Sequence, residues 1–252
     1  MNNYDSFAQV YDLFYADIED DLEMYLGFAE RTGGPILEIG AGTARVALAL
    51  AEAGHTVVGL EPSAAMRAIA QQKIAEAQLT DRVRMMTGDM RRFKLDQHFG
   101  LIIAPINTFL HNLTLDDQLA TLSSIKKHLR PGGLLVLDCF NPDPAHAADD
   151  CRLILQRNVL DADTGESAQL WLARSTDWGQ QLQDITYFAD CVAADGQVVR
   201  STLTTQFRFI FRHEMQLLLK LGGFDVKEIY GSYDLEPFDT GSDKLIAVAT
   251  PA

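Results

Sequence analysis

Cysteine is scarce in this sequence of 252 residues. The three cysteines, Cys139, Cys151 and Cys191, include no Cys-x-x-Cys pair, which argues against a disulfide framework or a cysteine zinc site. This usage fits a reducing compartment, so we expect a cytoplasmic protein. No apolar run approaches the ~20 residues that a membrane-spanning helix requires, and Met1 to Asp5 show no signal-peptide pattern. We therefore expect no membrane partner.

Positive charge is also in short supply, since 21 lysines and arginines stand against 35 aspartates and glutamates, for a net charge of −14. A surface field of that sign repels the phosphates of nucleic acids and of anionic lipids. The sequence has no Gly-x-Ser-x-Gly motif and no His-x-x-x-His pair, so neither a serine hydrolase nor a histidine metal site is indicated. We predict no nucleic-acid partner and no metal.

Short apolar runs alternate with helical patterns over the first half of the chain, which is typical of a parallel sheet covered by helices. The predicted strands are Ile36–Ile39, His55–Leu60, Val83–Thr87, Phe99–Ala104 and Leu134–Phe140. Ser63 and Thr114 each precede a helical pattern, and we predict that they cap those helices. The sequence therefore predicts an α/β fold.

The pattern then changes to period two, and we predict an antiparallel β insertion from about residue 151 to Phe211. Asp195-Gly196 lies between two such runs and is a signal for a hairpin turn. A helix at His213–Leu221 follows, and then strands at Phe224–Tyr230 and Lys244–Ala249. The short connection between these two strands predicts an antiparallel closing hairpin.

A glycine-rich loop follows the first predicted strand, where Glu38 to Thr43 read Glu-Ile-Gly-Ala-Gly-Thr. Gly40 and Gly42 let the backbone turn tightly and let a ligand approach the N-terminus of the next helix. Arg45 stands where the dinucleotide fingerprint Gly-x-Gly-x-x-Gly needs its third glycine. The Glu38 carboxylate would repel a pyrophosphate and attract a nucleoside that carries ammonium and sulfonium charges.

Two further carboxylates follow the second and third predicted strands. Glu61 could accept two hydrogen bonds from a ribose diol, and Asp89 could accept one from an adenine amino group with Met90 against the ring. Taken singly, each carboxylate is explained equally well as a solvated turn residue. Open α/β sheets bind ligands at the carboxyl ends of their strands, so the joint position of these residues predicts a nucleoside site.

These segments resemble the ordered motifs of class I S-adenosylmethionine-dependent methyltransferases over roughly residues 35–140. The matching segments are Glu38–Thr43, Gly59–Ser63, Gly88–Met90 and Leu129–Gly133. The family often has glycine where this chain has Ala44. The resemblance implies a Rossmann-like sheet of seven strands, mostly parallel with an antiparallel last strand and flanked by helices, and the cofactor S-adenosylmethionine, released as S-adenosylhomocysteine. It implies that the cofactor contacts Glu38, Gly40, Ala41, Gly42, Glu61, Pro62, Met66, Asp89, Met90, Ile106 and Asn107.

A narrower resemblance is to small-molecule N-methyltransferases, including sugar amino N,N-dimethyltransferases. It is carried by Val10–Tyr15, Gly88–Arg91 and Phe211–His213, together with the β insertion. It implies a small-molecule acceptor, methylated at nitrogen or oxygen, and a single methyltransferase domain, 1–252. The parts of that domain would be an N-terminal helical lid at 1–34, a cofactor-binding core at 35–140, the β insertion at 151–211, and the last helix with the closing hairpin at 212–252.

In-line methyl transfer depends on alignment and desolvation, so a base is needed only for an acceptor that must lose a proton. His111 is the first candidate for that base, although a local hydrogen bond explains this histidine equally well. Tyr11 and Tyr15 belong to an aromatic stripe at helical spacing, which packs in a core by default and closes over the acceptor in the resembling enzymes. We take His111 and Tyr15 as catalytic candidates, and Tyr11, Tyr15, His111 and His213 as acceptor-binding candidates.

Two other functions remain open at this point. An NAD(P)-dependent oxidoreductase would use a similar sheet, but Glu38, Arg45 and the closing hairpin argue against it. A non-catalytic S-adenosylmethionine-binding protein would share the glycine loop, but the polar Asn107 and His111 argue against it. The β insertion either covers the acceptor or forms a homodimer surface, and the sequence does not choose between these roles.

Overall fold

The computed structural model describes most of the chain. The described residues are 3–15, 18–143, 150–160, 167–193 and 195–252. They fall into two compact units, a larger one within 19–142 and 208–252 and a smaller one within 1–18 and 143–207. Among the described residues, no helix has both the length and the apolar character that crossing a membrane demands.

Helices and strands alternate in the larger unit, whereas the smaller unit is mostly strand. The helices are α1 (Ala8–Tyr15), α2 (Leu22–Thr32), α3 (Arg45–Glu52), α4 (Ala64–Glu76), α5 (Leu115–His128) and α6 (Arg212–Leu221), with 3-10 turns at Asn3–Ser6 and Thr108–His111. The strands are β1 (Ile36–Ile39), β2 (Val57–Leu60), β3 (Val83–Met86), β4 (Phe99–Ala104), β5 (Leu129–Phe140), β6 (Leu153–Leu160), β7 (Ser167–Asp177), β8 (Leu182–Val192), β9 (Val198–Arg208), β10 (Phe224–Tyr230) and β11 (Lys244–Pro251).

The larger unit is built on a seven-stranded sheet in the order β10-β11-β5-β4-β1-β2-β3. Strands β1 to β5 pair in parallel, and β11 runs antiparallel to both β5 and β10. Strands β1, β2 and β4 are buried along their whole length, as expected for strands covered on both faces. The predicted α/β fold with an antiparallel closing hairpin is confirmed. Because parallel strands end at one edge, the loops after β1, β2, β3 and β4 gather there.

Two side-chain caps fix where helices begin beside this edge. Ser63 Oγ accepts a hydrogen bond from the Met66 backbone at 3.1 Å and begins α4. Thr114 Oγ1 accepts one from the Asp117 backbone, also at 3.1 Å, and begins α5. Each cap satisfies a backbone donor that the helix leaves without an internal partner, so both predicted caps are confirmed.

Several predicted strand limits differ from the structure. Strand β3 ends at Met86 instead of Thr87, and β11 ends at Pro251 instead of Ala249. Strand β2 begins at Val57 instead of His55, and β5 begins at Leu129, five residues before the predicted Leu134. The segment between α5 and the predicted start of this strand already pairs with the start of β4. The period-two pattern was extended to Phe211, whereas β9 ends at Arg208 and Phe211 precedes α6.

The smaller unit is a four-stranded antiparallel sheet in the order β6-β7-β8-β9, with α1 packed in its core. Asp195-Gly196 forms the turn between β8 and β9, and Gly196 has φ +84°, as the hairpin signal predicted. Phe7 and Phe14 are fully buried and pack with Leu170 of β7. Tyr4, Tyr11 and Tyr15 pack against the same cluster, so the structure supports the core packing that the aromatic spacing indicates by default.

Candidate active site

The loop after β1 contains two glycines, so part of its backbone carries no side chain. Gly40 has φ +69°, and a Cβ added there would lie 2.5 Å from Thr108 Cγ2, so only glycine fits between the two loops. Gly42 has φ +53°, but a Cβ added there would meet no described atom within 4 Å. The loop therefore approaches Thr108 closely on one side and leaves room for a ligand at Gly42. Ala41, between them, is buried.

Glu38 lies in β1, the strand directly before this loop, and its side chain is buried. Its side chain is 3% exposed, and Oε2 has no hydrogen-bond partner among the described residues. Burial raises the pKa of Glu38 from 4.5 to about 8, and the nearby Arg45 guanidinium opposes that shift. A buried carboxyl oxygen with an unused acceptor site fits a ligand that brings a hydrogen-bond donor or a positive charge.

Arg45 is held by an ion pair that sequence reasoning missed. Its guanidinium donates to both carboxylate oxygens of Asp21 at 2.6 Å, and Asp21 is fully buried. Two parallel bonds of this kind fix the guanidinium plane as well as its position. The only sequence signal was that Arg45 occupies the place of a fingerprint glycine, which gave no hint of the partner 24 residues earlier.

Glu61 joins the loops that follow β1 and β2. Its Oε1 accepts from the Ser63 backbone at 2.7 Å, and its Oε2 accepts from the Gly42 backbone at 3.0 Å. These two bonds fix the orientation of a side chain whose two oxygens are the kind of acceptor that a ribose diol uses. The neighbouring Pro62 is exposed, whereas Met66 is buried in the first turn of α4.

Asp89 and Met90 follow β3, and each has a neighbour that orients it. Arg91 pairs with Asp89 at 2.6 Å, and this hydrogen-bonded pairing lowers the pKa of the Asp89 carboxyl. Asn112 Nδ2 lies 3.2 Å from Met90 Sδ, and Asn112 Oδ1 accepts from Thr121 Oγ1 at 2.9 Å. Asp89 is therefore an ionised acceptor with a fixed orientation. Asn112, which the sequence did not single out, holds the methionine.

The turn after β4 has an uncommon backbone conformation. Ile106 has φ +38° and Asn107 has φ +65°, and positive φ is a genuine outlier for a β-branched residue. The Asn107 side chain accepts a hydrogen bond from the Phe140 backbone at 2.7 Å. Such conformations persist only where the surroundings determine them, and they cluster at functional sites.

His111 ends the 3-10 turn that follows Asn107. Burial lowers its pKa from 6.5 to about 4, so the imidazole is neutral near pH 7. His213 lies elsewhere in the larger unit, in the first turn of α6, where its side chain is exposed and Nδ1 is 3.1 Å from Gln216 Oε1. The acceptor roles of both histidines stay predictions.

Tyr11 and Tyr15 belong to the smaller unit, where their rings stack with centroids 4.5 Å apart. Burial, followed by the neighbouring Tyr187 hydroxyl, raises the pKa of Tyr15 well above its ordinary value. The Tyr15 hydroxyl is therefore protonated and can act as a hydrogen-bond donor. Its catalytic role and the acceptor role of both tyrosines stay predictions. In the part of the chain that the structure describes, no cluster of three or more His, Cys, Asp or Glu residues could hold a metal ion.

Comparison with known proteins relates part of this chain to a known family. Residues 36–133, which span β1 to the start of β5, match the family described as the methyltransferase domain. A curated relative, the cypemycin N-terminal methyltransferase of a Streptomyces species, is 28% identical over 222 residues, covering 86% of this chain and 82% of that protein.

Solved structures resemble the fold over its whole length. The CcbJ methyltransferase of Streptomyces caelestis superimposes with a TM-score of 0.83 and 25% identity, covering 100% of this chain and 98% of that one. The S-adenosylmethionine-bound CalS10, an amino pentose methyltransferase of Micromonospora echinaspora, gives a TM-score of 0.74 and 21% identity, with 97% of each chain covered. At that identity the second likeness concerns the fold alone.

Proposed function

We propose that this chain, which belongs to the S-adenosylmethionine-dependent methyltransferases, transfers a methyl group to an amine nitrogen of a small molecule. The predicted methyltransferase is confirmed in preference to an oxidoreductase. The sequence left nitrogen and oxygen open as the methylated atom. Nitrogen is favoured because the relative that aligns over 86% of this chain is called an N-terminal methyltransferase, and an N-terminus is an amine.

The family implies S-adenosylmethionine, and the edge of the sheet has groups that suit each part of it. Glu61 would accept from the ribose, and Asp89 with Met90 would hold the adenine. The methionine end would lie along the Gly40–Gly42 backbone above Glu38, with the turn at Ile106-Asn107 beside the sulfur. Ala41, Pro62 and Met66 would complete the walls. When bound, the cofactor supplies a methyl group on a positively charged sulfur that is ready for displacement.

The observation that carries this proposal is the hydrogen bond from the Gly42 backbone to Glu61 beside open space. One carboxylate thereby fixes the glycine loop and is itself held where ribose hydroxyls can reach it. Glu38, in the strand before the same loop, has a buried oxygen with no hydrogen-bond partner among the described residues. This combination of two acidic groups suits a cationic nucleoside better than a pyrophosphate.

The acceptor side requires a group that is uncharged beside the sulfonium before transfer and that can accept a hydrogen bond, or the departing proton, from the amine. A neutral His111 meets that requirement, because its pKa of about 4 keeps the imidazole uncharged. The resemblance to small-molecule N-methyltransferases supports Tyr15, Tyr11 and His213 as further acceptor-binding residues in this proposal. We also propose that residues 1–34 close as a lid, and that the protein is cytoplasmic, acts on no nucleic acid and can form a homodimer.

Two titrations and one transfer assay test the proposal. S-adenosylhomocysteine should bind with a dissociation constant in the micromolar range, which corresponds to a binding free energy of about −8 kcal/mol. NAD should not bind. Radiolabelled methyl transfer from S-adenosylmethionine is then measured on a panel of small primary and secondary amines and on matched alcohols. Transfer to amines alone supports the proposal. Binding of NAD alone would make the chain an oxidoreductase, and binding without transfer to any acceptor would make it a non-catalytic binding protein.

A further inference from the structure

Asp138 is a fully buried carboxylate in β5 that no sequence motif singled out. Its Oδ2 accepts three hydrogen bonds: from the Tyr25 hydroxyl at 3.2 Å, from the Tyr233 hydroxyl at 3.0 Å and from the Ile106 backbone at 3.0 Å. Its Oδ1 lies 3.8 Å from Lys244 Nζ. Four separate parts of the larger unit therefore converge on one buried side chain.

The surroundings hold the Asp138 carboxylate in one position. Lys244 supplies a positive charge, and its ammonium also lies 4.5 Å from the centre of the Tyr233 ring. Burial and the charge of Asp138 raise the pKa of both Tyr25 and Tyr233, so both hydroxyls remain donors. The position of a buried carboxylate that accepts several hydrogen bonds is determined by all its donors together.

Asp138 holds the turn after β4 through two consecutive backbone groups. Ile106 N–H donates to the Asp138 side chain, and Asn107 N–H donates to the Asp138 carbonyl at 2.9 Å. These are the two residues whose φ angles are positive in this turn. A strained turn needs external support of this kind to keep one conformation.

The turn after β4 also contacts the glycine loop. Thr108 follows Asn107, and its Cγ2 would lie 2.5 Å from a Cβ placed on Gly40, so the two loops pack backbone against side chain. A shift of Ile106 and Asn107 would therefore move Thr108 and change the space over Gly40. Asp138 is connected to the glycine loop by this route without lying in it.

We propose that Asp138, oriented by Tyr25 and Tyr233, is a positioning residue that fixes the turn at Ile106–Thr108 against Gly40 and so shapes the pocket for the methionine end of the cofactor. This inference rests on the proposed function, because that function places the methionine end between these two loops. The nucleoside end, at Glu61 and Asp89, lies outside the Asp138 contacts and should not depend on them.

Two probes separate the two ends. S-adenosylhomocysteine contains the amino-acid portion, whereas 5′-methylthioadenosine has the same nucleoside and sulfur without it. Calorimetric dissociation constants for both probes are measured for the wild type, Tyr233→Phe, Asp138→Asn and Asp138→Ala. Tyr230→Phe is the matched control. Tyr230 lies at the end of β10, close to Tyr233 in the sequence, and its hydroxyl has no hydrogen bond to Asp138 among the described contacts. Melting temperatures are recorded for every variant.

We expect Tyr233→Phe to weaken S-adenosylhomocysteine binding by about fivefold and Asp138→Ala by more than about tenfold, with methylthioadenosine changed by less than about twofold. Asp138→Asn should recover part of the affinity that Asp138→Ala loses, since its amide oxygen still accepts from Ile106. Tyr233→Phe keeps the test valid if Asp138→Ala does not fold. Equal losses for both probes, or no loss in Tyr233→Phe, would overturn the inference. A wild type that does not bind S-adenosylhomocysteine would overturn the proposed function itself.

Discussion

Glu61 accepts a hydrogen bond from the backbone N–H of Gly42 at 3.0 Å, so a carboxylate after β2 holds the glycine loop after β1. The same side chain accepts from the Ser63 backbone at 2.7 Å, next to the cap of α4. The two loops are thereby joined before any ligand binds, and a ribose would meet a carboxylate that is already oriented. Preorganisation of this kind lowers the free-energy cost of binding.

Replacing Glu61 with alanine should weaken S-adenosylhomocysteine binding by more than about tenfold, because two ribose acceptors and the tether on Gly42 are lost together. Glu76→Ala is the matched control. Glu76 lies at the end of α4, the helix that follows Glu61, but it is exposed and pairs only with Gln72 among the described contacts. Both variants are compared by calorimetry. An unchanged dissociation constant in Glu61→Ala would remove Glu61 from the site.

Gly40 and Gly42 should respond differently to the same substitution. Both have positive φ, so alanine costs backbone strain of roughly 1 kcal/mol at either position. At Gly40 the new Cβ also collides with Thr108, which should add roughly 1–3 kcal/mol of destabilisation. Gly42→Ala should therefore melt close to the wild type yet lose S-adenosylhomocysteine affinity, because its methyl group fills the ligand space.

A second substitution tests the collision at Gly40. Thr108→Ala removes the two atoms nearest to the new Cβ, so it should restore stability to Gly40→Ala and give no benefit to Gly42→Ala. Denaturant unfolding of the single and double variants gives the coupling free energy. Additive free energies in the Gly40 pair would show that the two loops do not make this contact.

Local features of the fold were predictable from the sequence. The bounds of β1 and β4 and the caps at Ser63 and Thr114 were correct, because fully apolar runs and capping side chains are read within a few residues. The start of β5 was missed, since Pro131 and two glycines usually end an element, and pairing with β4 outweighed that preference here.

Long-range polar contacts were not predictable. Tyr25 and Tyr233 reach Asp138 across 113 and 95 residues, and no local pattern marks either tyrosine. Glu38 was expected to act as a charged carboxylate, but its side chain is buried and burial raises its pKa to about 8. Single-sequence patterns indicate which residue types occur at a strand end, whereas burial and partners depend on the assembled sheet.

Binding of a cationic ligand should depend on pH through Glu38. Its pKa of about 8 is set by burial, with Asp21 and Glu61 raising it further and Arg45 with the Ala47 backbone lowering it. Below about pH 8 the carboxyl must release a proton to meet an ammonium, so S-adenosylhomocysteine affinity should rise by up to about tenfold per pH unit and then level off. Calorimetry in two buffers of different ionisation enthalpy detects that proton.

Glu38→Gln should remove this pH dependence, and adenosine, which lacks the ammonium, should show none with the wild type. The same carboxyl affects folding with a defined sign. Its pKa is higher in the folded state than the ordinary 4.5, so its contribution is fully present below about pH 4.5 and is lost as pH rises through about 8. The free energy of unfolding should fall over that range in the wild type and change less in Glu38→Gln. A flat binding profile in the wild type would contradict a cationic end above Glu38.

His111→Ala should leave S-adenosylhomocysteine affinity nearly unchanged and lower turnover on the amine that the transfer screen identifies. The loss should be about a hundredfold if the imidazole takes the proton, and smaller if it only orients the acceptor. Because the pKa of His111 is about 4, wild-type turnover should show no histidine titration between about pH 5 and 8. With S-adenosylmethionine kept saturating, so that the Glu38 effect on binding is removed, an acid limb there belongs to the amine. His111→Gln keeps a hydrogen-bond acceptor without a titrating base, so recovery in that variant would assign positioning to His111. Full turnover in His111→Ala would exclude both roles.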